Sequence, residues 1–581
     1  MDVGYTNEEN VRMLVSLLKS HGIKRVIASP GTTNITFVAS LQYDSYFEVY
    51  SSVDERSAAY LACGMAAESG EPVVLSCTGA TASRNYLSGL TESYYRKLPV
   101  LAVTSMQHPG RVGQYVAQVI DRSDPLPDTC VKSVQVESIH CDEDAWSCNV
   151  KLNEALLALR RDGNGPVHIN LQTTYSPKFT TDELPAYRVI RRYTAESEMP
   201  PINAKKIGVV IGAHVAFDDN LTSAVDEFCA RYDAVVLCDQ TSNYRGKYRV
   251  LAALVTNQDS ALPDLTKFDL LVHIGQVSGA ALHVYPTEVW RVNPDGEIRD
   301  CYKKQTKVFE MSELFFFSHY ATGEGGHVSS NGALTDWADA YKNNLESVPE
   351  LPFSNLWIAQ QTAAKLPSGS ILHLGILNSL RAWNMFETPA DVKCYSNTGG
   401  FGIDGVLSAA IGASLVHPEK LYFCVLGDLA FFYDMNSLGN RHVGANLRIL
   451  LVNNGRGTEF RNYSHPAAKF GAQADPYMAA AGHFGNKSGN LVKHYTTDLG
   501  FKYLTASNKN EYLELLPQFL AEEDTDNRPI VFEVFTDSQE ESDALEMISN
   551  VAHDSKGMAK QLVRKALGQK GLDAAKKLIG R

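Results

Sequence analysis

The chain lacks any apolar run approaching the length needed to span a bilayer, and its first residues, MDVGYTNEEN, are acidic and have no apolar signal core. No membrane span is expected, and the protein is read as cytoplasmic. It is also short of basic charge. Against 66 Asp and Glu stand 53 Lys and Arg, a net charge of −13, which argues against general nucleic-acid binding. Ten cysteines are scattered without a C-x-x-C pair; several lie in apolar runs, where a free thiol behaves as a small hydrophobe, and a reducing compartment follows. A dinucleotide fingerprint is missing too. Gly212, after the strand-like Ile207–Ile211, stands alone, with no G-x-G-x-x-G behind it.

What is present describes several globular domains. The 581 residues are too many for one ordinary domain, and 44% apolar with 20% charged residues leaves material for several cores. Near the start, Thr6-Asn7-Glu8-Glu9 reads as a capping box for a helix that ends near Gly22. From there β-prone runs alternate with helical ones: strands at Arg25–Ser29, Phe47–Ser51, Val73–Ser76, Val100–Thr104 and Val167–Leu171, helices at Glu55–Ser69, Thr81–Tyr95 and Val150–Arg160. Residues Ser176–Pro200 read as a linker. A second block carries strands Ile207–Ile211, Ala234–Leu237 and Leu270–Ile274 around a helix through Thr222–Arg231. A third begins near Leu356 and carries Ile371–Leu374, the motifs below, Tyr503 and Ile530–Phe535. The fold class is therefore α/β, with three doubly wound parallel-sheet domains at 1–180, 190–345 and 352–550. Segment 551–581 places Met558, Leu562, Ala566, Leu572 and Leu578 near helical spacing among many Lys and Arg, a basic amphipathic helix.

One stretch organises the rest. Leu421–Arg456 opens with an apolar run, turns at Gly427-Asp428-Leu429, passes through a helix and returns with a second apolar run to Asn453-Asn454-Gly455. In a right-handed parallel unit both strands end on one edge, so Asp428 and Asn454 emerge side by side. A carboxylate and an amide oxygen there suit Mg²⁺, which takes one or two carboxylates and completes its shell with phosphate and water. On the residues alone, a strand-turn-helix with a capping aspartate fits equally well. The pattern resembles the G-D-x…N-N motif of thiamin-diphosphate enzymes. That resemblance implies Mg²⁺ on Asp428, Asn454 and the carbonyl of Arg456, with Gly427 and Leu429 at the cofactor's diphosphate.

Two further segments share the resemblance. In FEVYSSVDERSAAYLACGMA, Glu55 stands where the family's glutamate hydrogen-bonds N1′ of the aminopyrimidine and drives deprotonation of thiazolium C2. In CYSNTGGFGIDGVLSAAIG, Ile403 matches the bulky residue that holds the cofactor bent, and the Phe401 carbonyl is placed to accept from the pyrimidine amino group. Gln118 falls where many relatives carry an active-site glutamine. Asn378 and Ser379 are candidate donors to the diphosphate, although a helix cap explains them as well. The Gly455–Gly500 segment reads as a lid, with Arg461, His465 and Lys469 as candidate anion contacts.

The three-domain arrangement is similar to the acetolactate synthase and pyruvate decarboxylase group. YSNTGGFGIDGVLSAA and GDLAFFYDMNSL are most similar to the succinyl-enolpyruvyl-hydroxycyclohexene-carboxylate synthases of menaquinone synthesis. Those enzymes hold polyanionic substrates with arginines and a lysine; here Thr33 or a neighbour in Gly31-Thr32-Thr33, Thr398 and Ala280 stand at those places, and only Arg381 lies near a matching cation. The resemblance implies thiamin diphosphate and Mg²⁺, a 2-oxo acid substrate that loses carbon dioxide, and an aldehyde or hydroxyketone product. The alternatives are a hydrolase or lyase of a cyclic diketone, a menaquinone-pathway-type synthase, and a non-catalytic subunit. A homodimer or homotetramer is expected, with Glu55 of one subunit meeting Asp428 of another. Relatives bind FAD in the middle domain, but nothing in this sequence demands a flavin.

Overall fold

The protein is described from a computed structural model covering residues 4–215, 217–259, 264–322, 332–483, 487–522 and 526–552. The basic amphipathic helix expected over 551–581 lies, from 553 onward, outside these residues. The chain divides into two compact units, Met1–Met199 with Asp295–Glu310, and Pro200–Pro294 with Met311–Arg581.

The first unit is built on six parallel strands in the spatial order Glu48–Ser51, Arg25–Ala28, Val73–Cys77, Val100–Met106, Val167–Gln172 and Lys132–Val136. Val73–Cys77, Val100–Met106 and Val167–Gln172 are buried along their whole length, as expected of strands covered on both faces. The strand order reverses between Arg25–Ala28 and Val73–Cys77. That reversal opens a crevice at the carboxyl ends of these two strands. The linker expected at 176–200 instead contains strand Arg191–Thr194, paired with Gln305–Glu310; its half-exposed, arginine-rich composition hid it. The helix expected at Val150–Arg160 begins earlier, at Asp142, where Asp142, Glu143 and Asp144 complement the helix dipole. No capping box forms at the first helix, Glu9–Ser20. The Glu8 carboxylate instead accepts from the amides of Thr174 and Ser176 at 3.0 and 3.1 Å. Thr81–Tyr95 divides into helices Thr81–Asn85 and Leu87–Tyr95, joined by the wholly buried Tyr86.

The second unit holds two further parallel sheets. One contains Arg249–Leu251, Val235–Cys238, Ile207–Ile211, Lys267–Ile274 and Tyr285–Val292 side by side in that order. The other has the order Lys393–Ser396, Ile371–Leu374, Tyr422–Gly427, Leu447–Asn453, Ile530–Phe535 and Lys502–Ala506. Here the order reverses between Ile371–Leu374 and Tyr422–Gly427, so Asn378 and Asp428 leave adjacent strands. Polar side chains tie the two sheets together. Asn243 accepts from the Cys394 amide at 2.8 Å and donates to its carbonyl at 2.9 Å. Gln240 donates to the carbonyls of Trp383 and Phe386. The described parts of the Gly455–Gly500 segment form short helices, Thr458–Arg461, Pro466–Ala474 and Leu491–Asp498.

Candidate active site

In the second unit, strands Tyr422–Gly427 and Leu447–Asn453 run in register with Gly427 opposite Val452. The residues beyond them, Asp428 and Asn454, therefore start from neighbouring strand ends. Asp428 opens helix Asp428–Asp434 and is only 3% exposed. It accepts from the Leu429 amide at 2.9 Å. Burial pushes its carboxyl up to about 7, against the pull of amide donors from Leu429 and Gly455. The turn beyond Asn454 depends on Gly455, whose φ of 78° favours glycine. The Asn454 side-chain oxygen is buried without a hydrogen-bond partner among the described residues.

The amide end of Asn454 is engaged. It bonds to Glu541, a buried carboxyl that also accepts from the Asn355 amide at 3.1 and 3.0 Å and from the Thr536 hydroxyl at 2.7 Å. With its nitrogen held by Glu541, the Asn454 amide leaves its oxygen unused. Beside it, Asn453 donates to Glu533 at 2.7 Å, and the Tyr503 hydroxyl donates to the other oxygen of Glu533. The Arg456 carbonyl accepts from Thr458 at 2.9 Å, which leaves it a second lone pair.

Around these ends the cations are compensated. Arg381 forms a two-pronged pair with Glu459 at 2.7 and 2.9 Å, and Asn378 accepts from the same guanidinium at 2.8 Å. Asn378 is thus no cap; that position is Leu377, with φ 67°. The Ser379 hydroxyl accepts from Asn355 at 3.4 Å. Arg456 and Arg461 share Asp475 at 2.8 and 3.0 Å, and Arg461 also donates to the Gly471 carbonyl. Ile403 is half-buried against the core that includes Val406 and Leu407. Phe401 is exposed at φ 52°, a left-handed turn that reorients its carbonyl. Thr398 is buried.

The first unit supplies the other candidates. Asp54 caps helix Glu55–Ser69 by accepting from Ser57. Glu55 follows it, half-buried, and accepts from the Asn85 amide at 3.1 Å. This helix and Leu87–Tyr95 approach closely because Gly89 lacks a Cβ, which would lie 2.4 Å from that of Ala59. Of the Pro-Gly loop, Gly31 and Thr32 remain accessible. Thr33 turns inward: its hydroxyl meets that of Thr78 at 2.5 Å and donates to the Ser105 carbonyl at 3.1 Å. Gln118 is exposed and left-handed, with φ 63°.

The family description "Thiamine pyrophosphate enzyme, N-terminal TPP binding domain" matches residues 9–124. A 2-succinyl-5-enolpyruvyl-6-hydroxy-3-cyclohexene-1-carboxylate synthase of Bacteroides thetaiotaomicron is 30% identical over 566 residues, covering 93% of this chain and 98% of the relative. The chain belongs to the thiamine pyrophosphate enzymes. Synthases with the same name from Bacteroides fragilis and Desulfotalea psychrophila are 29% and 30% identical to this thiamine pyrophosphate enzyme, covering 93% and 89% of it and 98% and 96% of their own chains. Among solved structures, the thiamine diphosphate-dependent 4-hydroxybenzoylformate decarboxylase of Rhodococcus jostii RHA1 matches 91% of the chain and 99% of its own, at 15% identity and a TM-score of 0.40.

The residues of this thiamine pyrophosphate enzyme fit a cation-borne diphosphate. Among the described residues no three His, Cys, Asp or Glu gather as a metal cluster. The available donors are one desolvated carboxylate, one orphaned amide oxygen and one carbonyl, all hard oxygens. A bound cation would relieve both the unpaired charge and the unused acceptor.

Proposed function

We propose that the chain is a thiamin-diphosphate- and Mg²⁺-dependent 2-oxo acid decarboxylase or carboligase, giving an aldehyde or 2-hydroxyketone. The observation that carries this reading is the pairing of a buried carboxylate at Asp428 with the orphaned oxygen of Asn454 at adjoining strand ends. When bound, the cofactor supplies the electron sink that lets a 2-oxo acid lose carbon dioxide. Asp428, Asn454 and the Arg456 carbonyl hold Mg²⁺, and Gly427, Leu429, Asn378 and Ser379 surround the diphosphate. Ile403 and the Phe401 carbonyl orient the aminopyrimidine. Glu55, with one oxygen fixed by Asn85, moves the proton at N1′. Gly31, Thr32 and Gln118 face the substrate.

A homodimer brings Glu55 of one subunit to Asp428 of another. Exposed apolar groups around the glutamate helix, Val53 at 79%, Tyr60 at 48% and Leu61 at 49%, support a covered face there. A small, weakly anionic acceptor is supported by Arg381, Arg456 and Arg461 each already pairing with a carboxylate. The second reading is the reaction named for the relatives, favoured by their similarity over most of the chain. Product analysis with pyruvate or 2-oxoglutarate, each with and without a cyclohexadiene-carboxylate acceptor, separates the two. Carbon dioxide with an aldehyde or hydroxyketone supports the first; turnover confined to the 2-succinyl cyclohexene-carboxylate product replaces it with the second.

Glu541 positions Asn454 rather than touching the metal. Glu541→Leu is expected to raise the Mg²⁺ dissociation constant about tenfold, as losses behind a ligand do, while Glu541→Gln retains most affinity. Fluorescence titration of Mg²⁺ with the cofactor present measures it. An unchanged affinity in the Leu variant would show that other contacts orient Asn454.

A further inference from the structure

In the first unit, a guanidinium assigned no role above is buried without a counter-ion among the described residues. Arg122 is 7% exposed. Its Nη2 donates to the Asn170 side-chain oxygen at 2.7 Å and toward the Ser105 carbonyl at 3.5 Å, both neutral acceptors. Its Nε and Nη1 have no hydrogen-bond partner among the described residues. Burial, with a smaller push from Arg84, lowers it to about 10, which leaves it cationic at neutral pH.

Beside this group lies a cavity of about 40 Å³, lined in part by Arg84, Arg122, Thr104, Thr129, Cys130 and His168. Several of its other polar groups are already committed. His168 is kept neutral by burial, with its ring nitrogens on the hydroxyls of Thr104 and Ser133 at 2.7 and 3.0 Å. The Thr129 hydroxyl donates to the Leu126 carbonyl, and Arg84 to the Asp121 carbonyl. Left over among the described residues are two N–H donors on a desolvated cation and the buried Tyr86 hydroxyl, all groups that can donate to an anion. A buried cation left unpaired is strongly unfavourable, and water would satisfy the donors without neutralising the charge. The space exceeds the roughly 10–15 Å³ that holds one water, which leaves room for a small monovalent anion.

We propose that this cavity is a structural halide site, in which one chloride-sized monovalent anion rests on Nε and Nη1 of Arg122. The site stands under the active-site loops. Arg122 and Thr33 share the Ser105 carbonyl, and a Cβ at Gly79 would come 3.0 Å from Nη1. An anion there fixes the cation beneath residues 31–33 and 78–80. The inference is independent of the reading of the cofactor site.

Two measurements on the full chain test it. Crystals grown in sodium bromide should show an anomalous peak within hydrogen-bonding distance of Arg122 Nε and Nη1. Thermal unfolding at constant ionic strength should move to higher temperature with each tenfold increase in chloride over gluconate, which is too large to enter, and Arg122→Met should lose that dependence. A cavity without anomalous signal, or a transition equally indifferent to chloride and gluconate, overturns the proposal. Should Arg122→Met fail to fold, the bromide peak and the wild-type comparison decide.

Discussion

Glu55→Gln leaves a folded protein that still binds cofactor and Mg²⁺ but turns over 2-oxo acid roughly 10²- to 10⁴-fold more slowly, the range for loss of a positioned proton-transfer group. The fold should tolerate the change because Glu55 is half-buried at a helix start and its single contact, from Asn85, can be accepted by an amide oxygen equally well. Glutamine cannot exchange the proton. Substrate consumption with saturating cofactor, beside a separate cofactor titration, divides chemistry from binding. Unchanged turnover would remove Glu55 from the mechanism.

Asp428→Ala has the opposite profile. Cofactor binding is expected to lose its Mg²⁺ dependence, with affinity falling by at least about a hundredfold, the upper end of what outer-shell losses cost. The metal-free variant should nonetheless unfold at a temperature no lower than the metal-free wild type. Asp428 is a desolvated carboxylate with no cation beside it among the described residues, and removing an unpaired buried charge relieves the folded state. Calorimetry of both proteins with and without Mg²⁺ and cofactor reads each half. A variant that is destabilised without metal yet binds normally would make Asp428 a structural residue.

The placement of Glu55, Asp428 and Asn454 was legible because each stands in a local pattern, a charged or amide residue at a strand end before a helix, and local pattern is what a single sequence displays. Glu541 was not. It lies 87 residues beyond Asn454 on helix Ser538–Ile548 and carries no motif; only the packing of that helix against Asn355 brings its carboxyl to the amide. The same holds for Arg381 and Glu459, which lie 78 residues apart and cancel each other's charge. Arg461 looked like an anion contact because its partner, Asp475, lies beyond a kinked turn at Gly471. Among strands, the fully apolar runs were plain, whereas Arg191–Thr194 looked like linker because an edge strand needs no apolar alternation to pair.

The described ladders within each unit's sheets are parallel, and this governs how the chain reaches its native state. No strand can meet its neighbour through a tight hairpin; each must wait for a crossover of a dozen residues or more to close. Closure entropy is therefore lost before any sheet contact repays it, so acquisition of structure is slow and apolar strands such as Val73–Cys77 stay uncovered meanwhile. In the cell, that interval favours chaperone capture of the nascent sheets.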